Sequence, residues 1–306
     1  MSERFLITGA LGCIGAWATR QLLTEGVPVV AFDLGASRHR LELVLSEEQL
    51  AGVTFLHGDI TDPAALDRAL DEHGITHVIH LAALLVPLAK ADPPRGALVN
   101  VVGTVNVFEA VKRRAGIRGL AYASSAAVYD AADGARVAED ADGHPVTYYG
   151  VHKQANEGMA RVAWLDDGVA SVGLRPYVVY GPGRDTGLTA GPTLAMQAAA
   201  GGETYRIPFG GRMQLQYAAD AAAAFVEASR TATEGAILRN LGGPCVHVRE
   251  VVAAIEEVVP EAAGTISWDD ERSLPFPEEF EARAPVSTPL ERGVRETIEL
   301  FRRTGA

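Results

Sequence analysis

The chain has 306 residues, of which 48% are hydrophobic, and it carries a formal net charge of −12 with a pI near 5.1. Such a chain can bury a large core, but it lacks the basic surface that nucleic acid or an anionic membrane would need. No apolar run reaches membrane-spanning length and no secretory leader is recognisable, so we expect a cytoplasmic protein with no membrane partner. Cys13, Cys245 and the eight histidines match no disulfide framework and no metal-site spacing, so no metal is expected.

Short β-branched runs alternate with longer helical patterns over the first 180 residues, which is typical of a parallel sheet covered by helices on both faces. Asp62 followed by Pro63 predicts a capped helix start. The segment from Thr288 to Glu291 matches a capping box and predicts a final helix that ends at Arg302. The predicted strands are 4–8, 28–33, 53–57, 77–81, 119–124 and 170–175, and the other predicted helices are 16–24, 62–71, 98–113 and 149–165.

After Tyr180 the pattern changes to a loop-rich stretch that glycine and proline interrupt repeatedly. We therefore predict an α/β fold with a Rossmann-type doubly wound parallel sheet in residues 1–180. Residues 181–306 are expected to form a smaller C-terminal substrate lobe, from which some segments return to the Rossmann core.

Three glycines, Gly9, Gly12 and Gly15, lie between the first predicted strand and the first predicted helix. In a phosphate-binding turn, glycines permit the tight turn, the approach of the backbone to a pyrophosphate and the close packing of helix on strand. The helix N-terminus also offers free N–H groups to the anion. Asp33 closes the second strand, where a carboxylate can accept hydrogen bonds from an adenosine ribose. This pattern favours NAD over NADP as the cofactor.

Three side chains near this turn leave alternatives open. Arg38 and Arg40 follow Asp33 and could receive the 2′-phosphate of NADP. Cys13, at the start of the helix, could have a lowered pKa, although packing is the favoured interpretation.

Lysine is rare in this chain, which has three lysines and 24 arginines. Lys153 stands four residues after Tyr149, so the two side chains would share one face of a helix. A lysine kept among so many arginines indicates a place where a compact ammonium is needed. Ser125 follows the fifth predicted strand, at the end of the sheet where α/β proteins bind ligands. By itself, the Tyr149 and Lys153 pair also fits a solvated helix face.

Together, the glycine turn, Asp33, the Ser124-Ser125-Ala-Ala-Val-Tyr segment and the pair Tyr149 and Lys153 resemble the extended short-chain dehydrogenase/reductase family, the NAD-dependent sugar epimerases and dehydratases. The resemblance spans nearly the whole chain. Its other matching segments are Gly58-Asp59-Ile60, His80-Leu-Ala-Ala83, Asn100 to Asn106, Arg175-Pro176, Tyr180-Gly181-Pro182 and Leu241-Gly242-Gly243.

The resemblance implies that Tyr149 is the catalytic base and that Lys153 stabilises its phenolate, because free tyrosine has a pKa of about 10. Ser125 would hold the substrate hydroxyl, and Asn100 would support the site. The implied NAD-binding residues are Gly9, Gly12, Cys13, Ile14, Gly15, Asp33, Asp59, Ile60, Leu81, Ala82, Ala83, Asn100, Ser124, Tyr149, Lys153 and Tyr177. The implied substrate-binding residues are Ser125, Ala126, Thr147, Arg184 and Arg212. For Ser124, a backbone bond that satisfies the hydroxyl is as good an interpretation; Tyr129 is assigned to packing, and Tyr148 is out of register with Lys153.

The sequence departs from the family at four positions. Ala126 and Ala127 stand where dehydratases have an acidic pair, so elimination is not expected. Val178 and Met213 stand where enzymes of nucleotide sugars have an asparagine and an arginine that hold the diphosphate. The expected substrate is therefore a free sugar, a sugar acid or a related polyol. The candidates for binding an anionic end of it are Arg184, Arg206, Arg212 and Lys90.

Three functions remain open from the sequence. The favoured one is an NAD-dependent dehydrogenase of a sugar-like alcohol, and the alternative is an NAD-retaining epimerase of a sugar or nucleotide sugar. A non-catalytic dinucleotide sensor is less favoured because Tyr149 and Lys153 are both present. The family resemblance also implies a homodimer formed through the helices that carry Asn100 and Tyr149.

Overall fold

The computed structural model describes residues 2–282 and 288–305. The strands are β1 Phe5–Thr8, β2 Val29–Asp33, β3 Thr54–His57, β4 His77–His80, β5 Gly119–Ala123, β6 Arg136–Val137, β7 Ser171–Arg175, β8 Val178–Tyr180, β9 Tyr205–Ile207, β10 Arg212–Tyr217, β11 Ala236–Asn240, β12 Cys245–His247, β13 Ile266–Trp268 and β14 Glu279–Phe280. The α-helices are α1 Cys13–Thr24, α2 His39–Val44, α3 Glu47–Ala51, α4 Pro63–Glu72, α5 Val86–Ala91, α6 Pro93–Ala97, α7 Gly103–Lys112, α8 Tyr148–Asp167, α9 Gly191–Gly201, α10 Ala218–Thr231, α11 Val248–Val258 and α12 Leu290–Thr304.

A seven-stranded parallel sheet forms the centre, with strand order β11-β7-β5-β4-β1-β2-β3. The chain runs from β1 outward to β3 and then crosses back to β4 on the other side of β1. This reversal opens a crevice at the carboxyl ends of β1 and β4, which is where open α/β sheets bind ligands. The six predicted strands are confirmed, each one residue shorter than predicted.

Helices cover both faces of the sheet, so a hydrophobic core lies on each face. Side chains along β1 alternate between these two cores. Phe5 and Ile7 face the core that α1 and α10 cover, whereas Leu6 faces the core under α4 and α7. Such period-2 alternation of apolar residues on both faces is required of a strand buried on both sides. The predicted doubly wound Rossmann-type fold is therefore confirmed.

The segments after residue 180 build a smaller lobe and also complete the large sheet. Helices α9, α11 and α12 pack together beside the small sheet of β8, β10 and β12. Strand β11 pairs with β7 at the edge of the large sheet, and α10 packs against α1. No helix in the described parts of the chain has both the length and the apolar character to cross a membrane.

One predicted helix start is confirmed and one is wrong. The Asp62 carboxylate accepts a hydrogen bond from the Ala64 N–H, and Pro63 opens α4. The final helix exists, but it begins at Leu290 and no side chain caps it. The Thr288 N–H instead donates to the Asp220 carboxylate at 2.8 Å, so a tertiary contact replaces the predicted capping box.

A buried ionic network joins α8 to the end of the sheet. Arg175, at the end of β7, forms an ion pair with Glu157 of α8 at 2.6 Å, and both side chains are less than one-tenth exposed. The Ser124 hydroxyl donates to the same carboxylate at 2.5 Å, and the Arg175 guanidinium donates to the Tyr129 hydroxyl. The network sets the position of α8 against β5 and β7. The same helix carries Lys153 one turn before Glu157 and Tyr149 two turns before it.

Candidate active site

The glycine turn after β1 brings two backbone segments closer than any other residue would allow. Gly9 has φ of +68°, and a Cβ there would lie 2.7 Å from the Ala82 nitrogen. A Cβ at Gly15 would lie 2.6 Å from the Gly9 carbonyl oxygen. The turn therefore depends on glycine for both backbone conformation and space.

The residues at this turn fit a dinucleotide. Helix α1 begins after Gly12 with no side-chain cap, so its first N–H groups point to the crevice unpaired by a cap. The Asp33 carboxylate lies beside the turn and accepts hydrogen bonds from the N–H groups of Leu11, at 3.0 Å, and Gly35, at 2.8 Å. A single cavity of about 850 Å³ runs from this turn to the ends of β5 and α8.

Most of the predicted site residues line this one cavity. The predicted residues that line it are Gly9, Gly12, Cys13, Ile14, Gly15, Asp33, Asp59, Ile60, Leu81, Ala82, Ala83, Ser124, Ser125, Ala126, Tyr149, Lys153, Tyr177 and Arg184. The predicted residues Asn100, Thr147 and Arg212 do not line it, and neither do the candidates Lys90 and Arg206. The fold thus brings the phosphate turn, the tyrosine and lysine pair and one arginine of the C-terminal part together.

Asn100, Thr147 and Arg212 have contacts elsewhere in the protein. Thr147 is the N-cap of α8, where its hydroxyl accepts a hydrogen bond from the Gly150 N–H. Arg212 is exposed on β10, where it donates to the Cys245 carbonyl and pairs with Glu250. Thr147 therefore positions the helix of Tyr149, and Arg212 faces away from the cavity.

Asn100 is a buried positioning residue in the π-helical turn Leu98–Val102. Its amide oxygen accepts from the Leu84 N–H at 2.7 Å, and its amide nitrogen donates to the Leu84 carbonyl at 2.9 Å. Leu84 lines the cavity beyond β4. Asn100 therefore supports the site, as expected, but by clamping this loop and without facing the cofactor crevice.

Lys153 is almost fully buried, at 2% exposure, and it lies behind Tyr149. Its ammonium donates to the Ala123 carbonyl at the end of β5, at 2.6 Å, and lies 5.4 Å from the centre of the Tyr149 ring. Burial lowers the pKa of Lys153 to about 8, against the opposing charge of Glu157. The ammonium is thus held by the strand end and placed over the face of the ring.

Burial raises the pKa of the Tyr149 hydroxyl to about 12, while the Arg184 guanidinium and the Ser125 hydroxyl both act to lower it. Arg184, whose charge lowers the pKa of Tyr149, lines the same cavity from the loop between β8 and α9. The role of Lys153 in stabilising the Tyr149 phenolate stays a prediction. Tyr148, by contrast, is 55% exposed, as its register predicted.

The surroundings of Cys13, Ser124 and Tyr129 bear on interpretations that the sequence left open. Burial raises the pKa of the Cys13 thiol to about 12, and the side chain packs against the core beside α1, which favours the packing interpretation. The Ser124 hydroxyl donates to the Glu157 carboxylate and not to a backbone carbonyl, and Ser124 also lines the cavity. Tyr129 is fully buried and packs against Phe280, in agreement with its assignment to the core.

The sequence predicted a loop after Tyr180 but not its contacts: residues 181–189, which we call the strap, pack against the phosphate turn and α1. The Pro182 carbonyl accepts a hydrogen bond from the Trp17 indole at 2.9 Å, and Asp185 pairs with Arg40 and His39. Thr189 and the more distant Phe276 also line the cavity. The strap and its partners lie more than 140 positions apart in the chain, so no local pattern could have indicated these contacts.

Comparison with known proteins places this site in a family. The family model for the NAD dependent epimerase/dehydratase family matches residues 5–241. The chain belongs to this family. The predicted NAD cofactor is confirmed with it, and the fit of Asp33 and the glycine turn to a dinucleotide agrees.

Individual relatives and solved structures are similar to most of this chain. The chain is 33% identical to a UDP-glucose 4-epimerase of Azospirillum brasilense, over 84% of this chain and 78% of that protein. It is 31% identical to one of Mycolicibacterium smegmatis, over 98% of each chain. A UDP-glucose 4-epimerase of Thermus thermophilus in complex with NAD matches with a TM-score of 0.81 and 27% identity, over 98% of this chain and 99% of that chain. A partial consensus L-threonine 3-dehydrogenase matches with a TM-score of 0.85 at 23% identity, over 98% and 99%, which shows a shared fold.

The burial of Lys153 makes a prediction about stability. Its pKa lies near 8 in the folded protein, below the ordinary 10.5, so the unfolded chain binds more protons between these values. The cost of the buried ammonium is therefore fully present below pH 8 and disappears above pH 10.5. We expect the variant Lys153→Met to gain roughly 3 kcal/mol relative to the unchanged protein on going from about pH 10 to about pH 7, at about 1.4 kcal/mol per pKa unit.

Urea unfolding of both proteins across this pH range measures the difference. Lys112→Met is the control, because this lysine is exposed and pairs with Asp167 at the surface. A difference in unfolding free energy between Lys153→Met and the unchanged protein that stays constant with pH would show that the ammonium is not buried.

Proposed function

We propose that the protein is an NAD-dependent dehydrogenase that oxidises a secondary alcohol of a small sugar-like substrate, with a sugar acid as the favoured class. Tyr149 is the base, and Arg184 binds the carboxylate. The main support is the composition of the cavity wall. Of residues 190–282, all of which the structure describes, only Phe276 lines the cavity.

The positions that would hold a diphosphate are closed to the cavity. Val178 and Met213 are both fully buried in strands of the smaller lobe. Arg212, next to Met213, is engaged with Cys245 and Glu250 on the outside. A nucleoside diphosphate needs charge-assisted donors along its length, and the lobe supplies none at these three positions. This arrangement favours a small substrate.

Arg184 is a cation that lines the cavity and that such a substrate could contact. Its terminal nitrogen donates to Thr189 at 3.0 Å, but its buried Nε atom has no hydrogen-bond partner. A buried guanidinium N–H without a partner is costly and marks a place for an anion. Arg184 and Tyr149 line the same cavity, so an anion bound to Arg184 would share that cavity with the reacting alcohol. A carboxylate matches the fork of N–H groups in a guanidinium.

The residues of the chain divide the chemistry as follows. The Ser125 hydroxyl orients the alcohol oxygen, and the Tyr149 phenolate takes its proton as the carbon becomes a carbonyl. NAD, when bound, supplies the hydride acceptor. Lys153 keeps the tyrosine ring in place from behind, and Arg184 favours its ionised form. Asn100 and Thr147 maintain the loop and the helix on which these groups depend.

A second candidate function is an epimerase that retains its NAD. The observation that favours it is the set of relatives, since two proteins at least 31% identical over most of this chain are UDP-glucose 4-epimerases. The same Ser125, Tyr149 and Lys153 would serve it. An epimerase forms no net NADH, so the two functions differ in a directly measurable product.

We also propose that the chain forms a homodimer through α7, α8 and the π-helical turn before α7. Their outer surfaces carry exposed apolar side chains that a second copy of the chain would cover. These are Leu98, Val102, Val105, Val151, Val162 and Leu165. Sedimentation equilibrium is expected to give twice the mass of one chain, and a mass of one chain would refute this proposal.

The variant Tyr149→Phe tests the assigned base. We expect it to lower kcat by about 10²- to 10⁴-fold, the usual contribution of a positioned proton acceptor, and to leave the affinity for NAD nearly unchanged. Production of NADH with a panel of sugars and sugar acids measures the rate, and calorimetry measures NAD binding. Tyr148→Phe is the matched control, because Tyr148 is exposed one residue away. Equal rates for Tyr149→Phe and the unchanged protein would contradict the mechanism.

The variant Arg184→Met tests the carboxylate site. We expect kcat/KM for a sugar acid to fall by about 10- to 100-fold, the loss of a charge-assisted hydrogen bond. The value for the matching neutral sugar should change much less. Arg206→Met is the control, since Arg206 is exposed and pairs with Asp269 at the surface. An equal loss for both substrates, with weaker NAD binding, would assign Arg184 to the cofactor and overturn the substrate class.

A further inference from the structure

Arg40 and Asp33 stand on either side of one residue of the phosphate turn. The Leu11 N–H donates to the Asp33 carboxylate at 3.0 Å, and the Leu11 carbonyl accepts from the Arg40 guanidinium, also at 3.0 Å. Arg40 and Asp33 both line the cavity. Arg40 and Asp33 therefore bind the two backbone groups of a single residue. The guanidinium thus lies close to the carboxylate that we expect to bind the adenosine ribose.

An arginine near that ribose is the residue type that receives the 2′-phosphate in enzymes that use NADP. In this protein the arginine is already occupied. Its Nε and Nη2 atoms donate to the Asp185 carboxylate, the latter at 2.6 Å, and only 20% of the side chain is exposed. Asp185 comes from the strap, 145 residues further along the chain. The guanidinium thus faces a carboxylate of its own protein where a phosphate would otherwise bind.

The neighbouring basic side chains of Arg38 and His39 also have partners. The Arg38 guanidinium lies 3.6 Å from the centre of the Phe55 ring. His39 contacts Ser37 with one ring nitrogen and Asp185, at 2.8 Å, with the other. Asp185 therefore binds the two basic side chains that line the cavity beyond Asp33.

From this arrangement we propose that Asp185 is a specificity-determining residue for the cofactor. It neutralises Arg40 and keeps the guanidinium from a 2′-phosphate, so that selection of NAD depends on two carboxylates, Asp33 in the sheet and Asp185 in the strap. Asp33 repels the 2′-phosphate directly. Asp185 removes the cation that could overcome this repulsion. The strap, a segment of the substrate side, thereby takes part in choosing the dinucleotide.

Direct binding measurements on the full chain test this proposal without the need for turnover. Isothermal titration calorimetry gives the Kd for NAD and for NADP with Asp33→Ser, with Asp185→Asn and with both changes. We expect Asp185→Asn to tighten NADP binding by about tenfold in the Asp33→Ser background, the value of a bond between a guanidinium and a phosphate. Adding Arg40→Gln should abolish this gain.

Two controls keep the result interpretable. Glu42→Gln removes one negative charge from the exposed side of the same helix, two residues from Arg40, and should not produce the gain. The single variant Asp185→Asn, which retains Asp33, should shift the ratio of the two Kd values towards NADP even if Asp33→Ser fails to fold. The proposal is wrong if Asp185→Asn leaves this ratio unchanged, if the gain survives Arg40→Gln, or if Glu42→Gln reproduces it.

Discussion

The site depends on a buried ammonium that only one backbone group satisfies among the contacts described. Lys153 sits under Tyr149 and donates to the carbonyl at the end of β5. A charge so deeply buried is tolerated only where a partner and a counter-charge are fixed in place. Glu157, one turn further on α8, supplies the counter-charge and is itself held by Arg175 and Ser124. The requirement to satisfy Lys153 therefore fixes α8 against the sheet and, with it, the position of Tyr149.

The burial that orders the site also makes loss of a proton from Tyr149 less favourable. It raises the pKa of Tyr149, which we propose as the base, and the Arg184 guanidinium and the Ser125 hydroxyl oppose this effect. Arg184 is the cation among them, and it belongs to the strap. The strap is held over the phosphate turn by Trp17 and Arg40. Residues 181–189 thus contact α1 and α2 and also line the cavity, so this one loop lies beside both the phosphate turn and the proposed substrate site.

Much of the fold followed from the sequence because its signals are local. Strands buried on both faces are continuous apolar runs, and the glycines of the turn have no substitutes, so both were recognisable without the structure. The spacing of Tyr149 and Lys153 identified the face of α8 that meets the cavity, while Tyr148 was correctly left outside. These features require only residue type and spacing along one element.

The features that the sequence did not predict depend on contacts between residues that are distant in the chain. Asp185 and Arg40, or Thr288 and Asp220, meet only after the lobe has packed on the sheet, and neither pair has a pattern of its own. Thr147 and Arg212 were assigned to substrate because of nearby motifs, but a helix N-terminus and a surface ion pair use them instead. Hydrogen-bonding side chains in loops have several possible partners, and only the tertiary structure selects among them.

The most direct test of the account is the amount of NADH formed per substrate consumed, measured for a panel of free sugar acids and for UDP-glucose with the purified protein. The account predicts one NADH per molecule of a sugar acid and no turnover of the nucleotide sugar. Interconversion of UDP-sugars without accumulation of NADH would contradict it and would identify the protein as an epimerase.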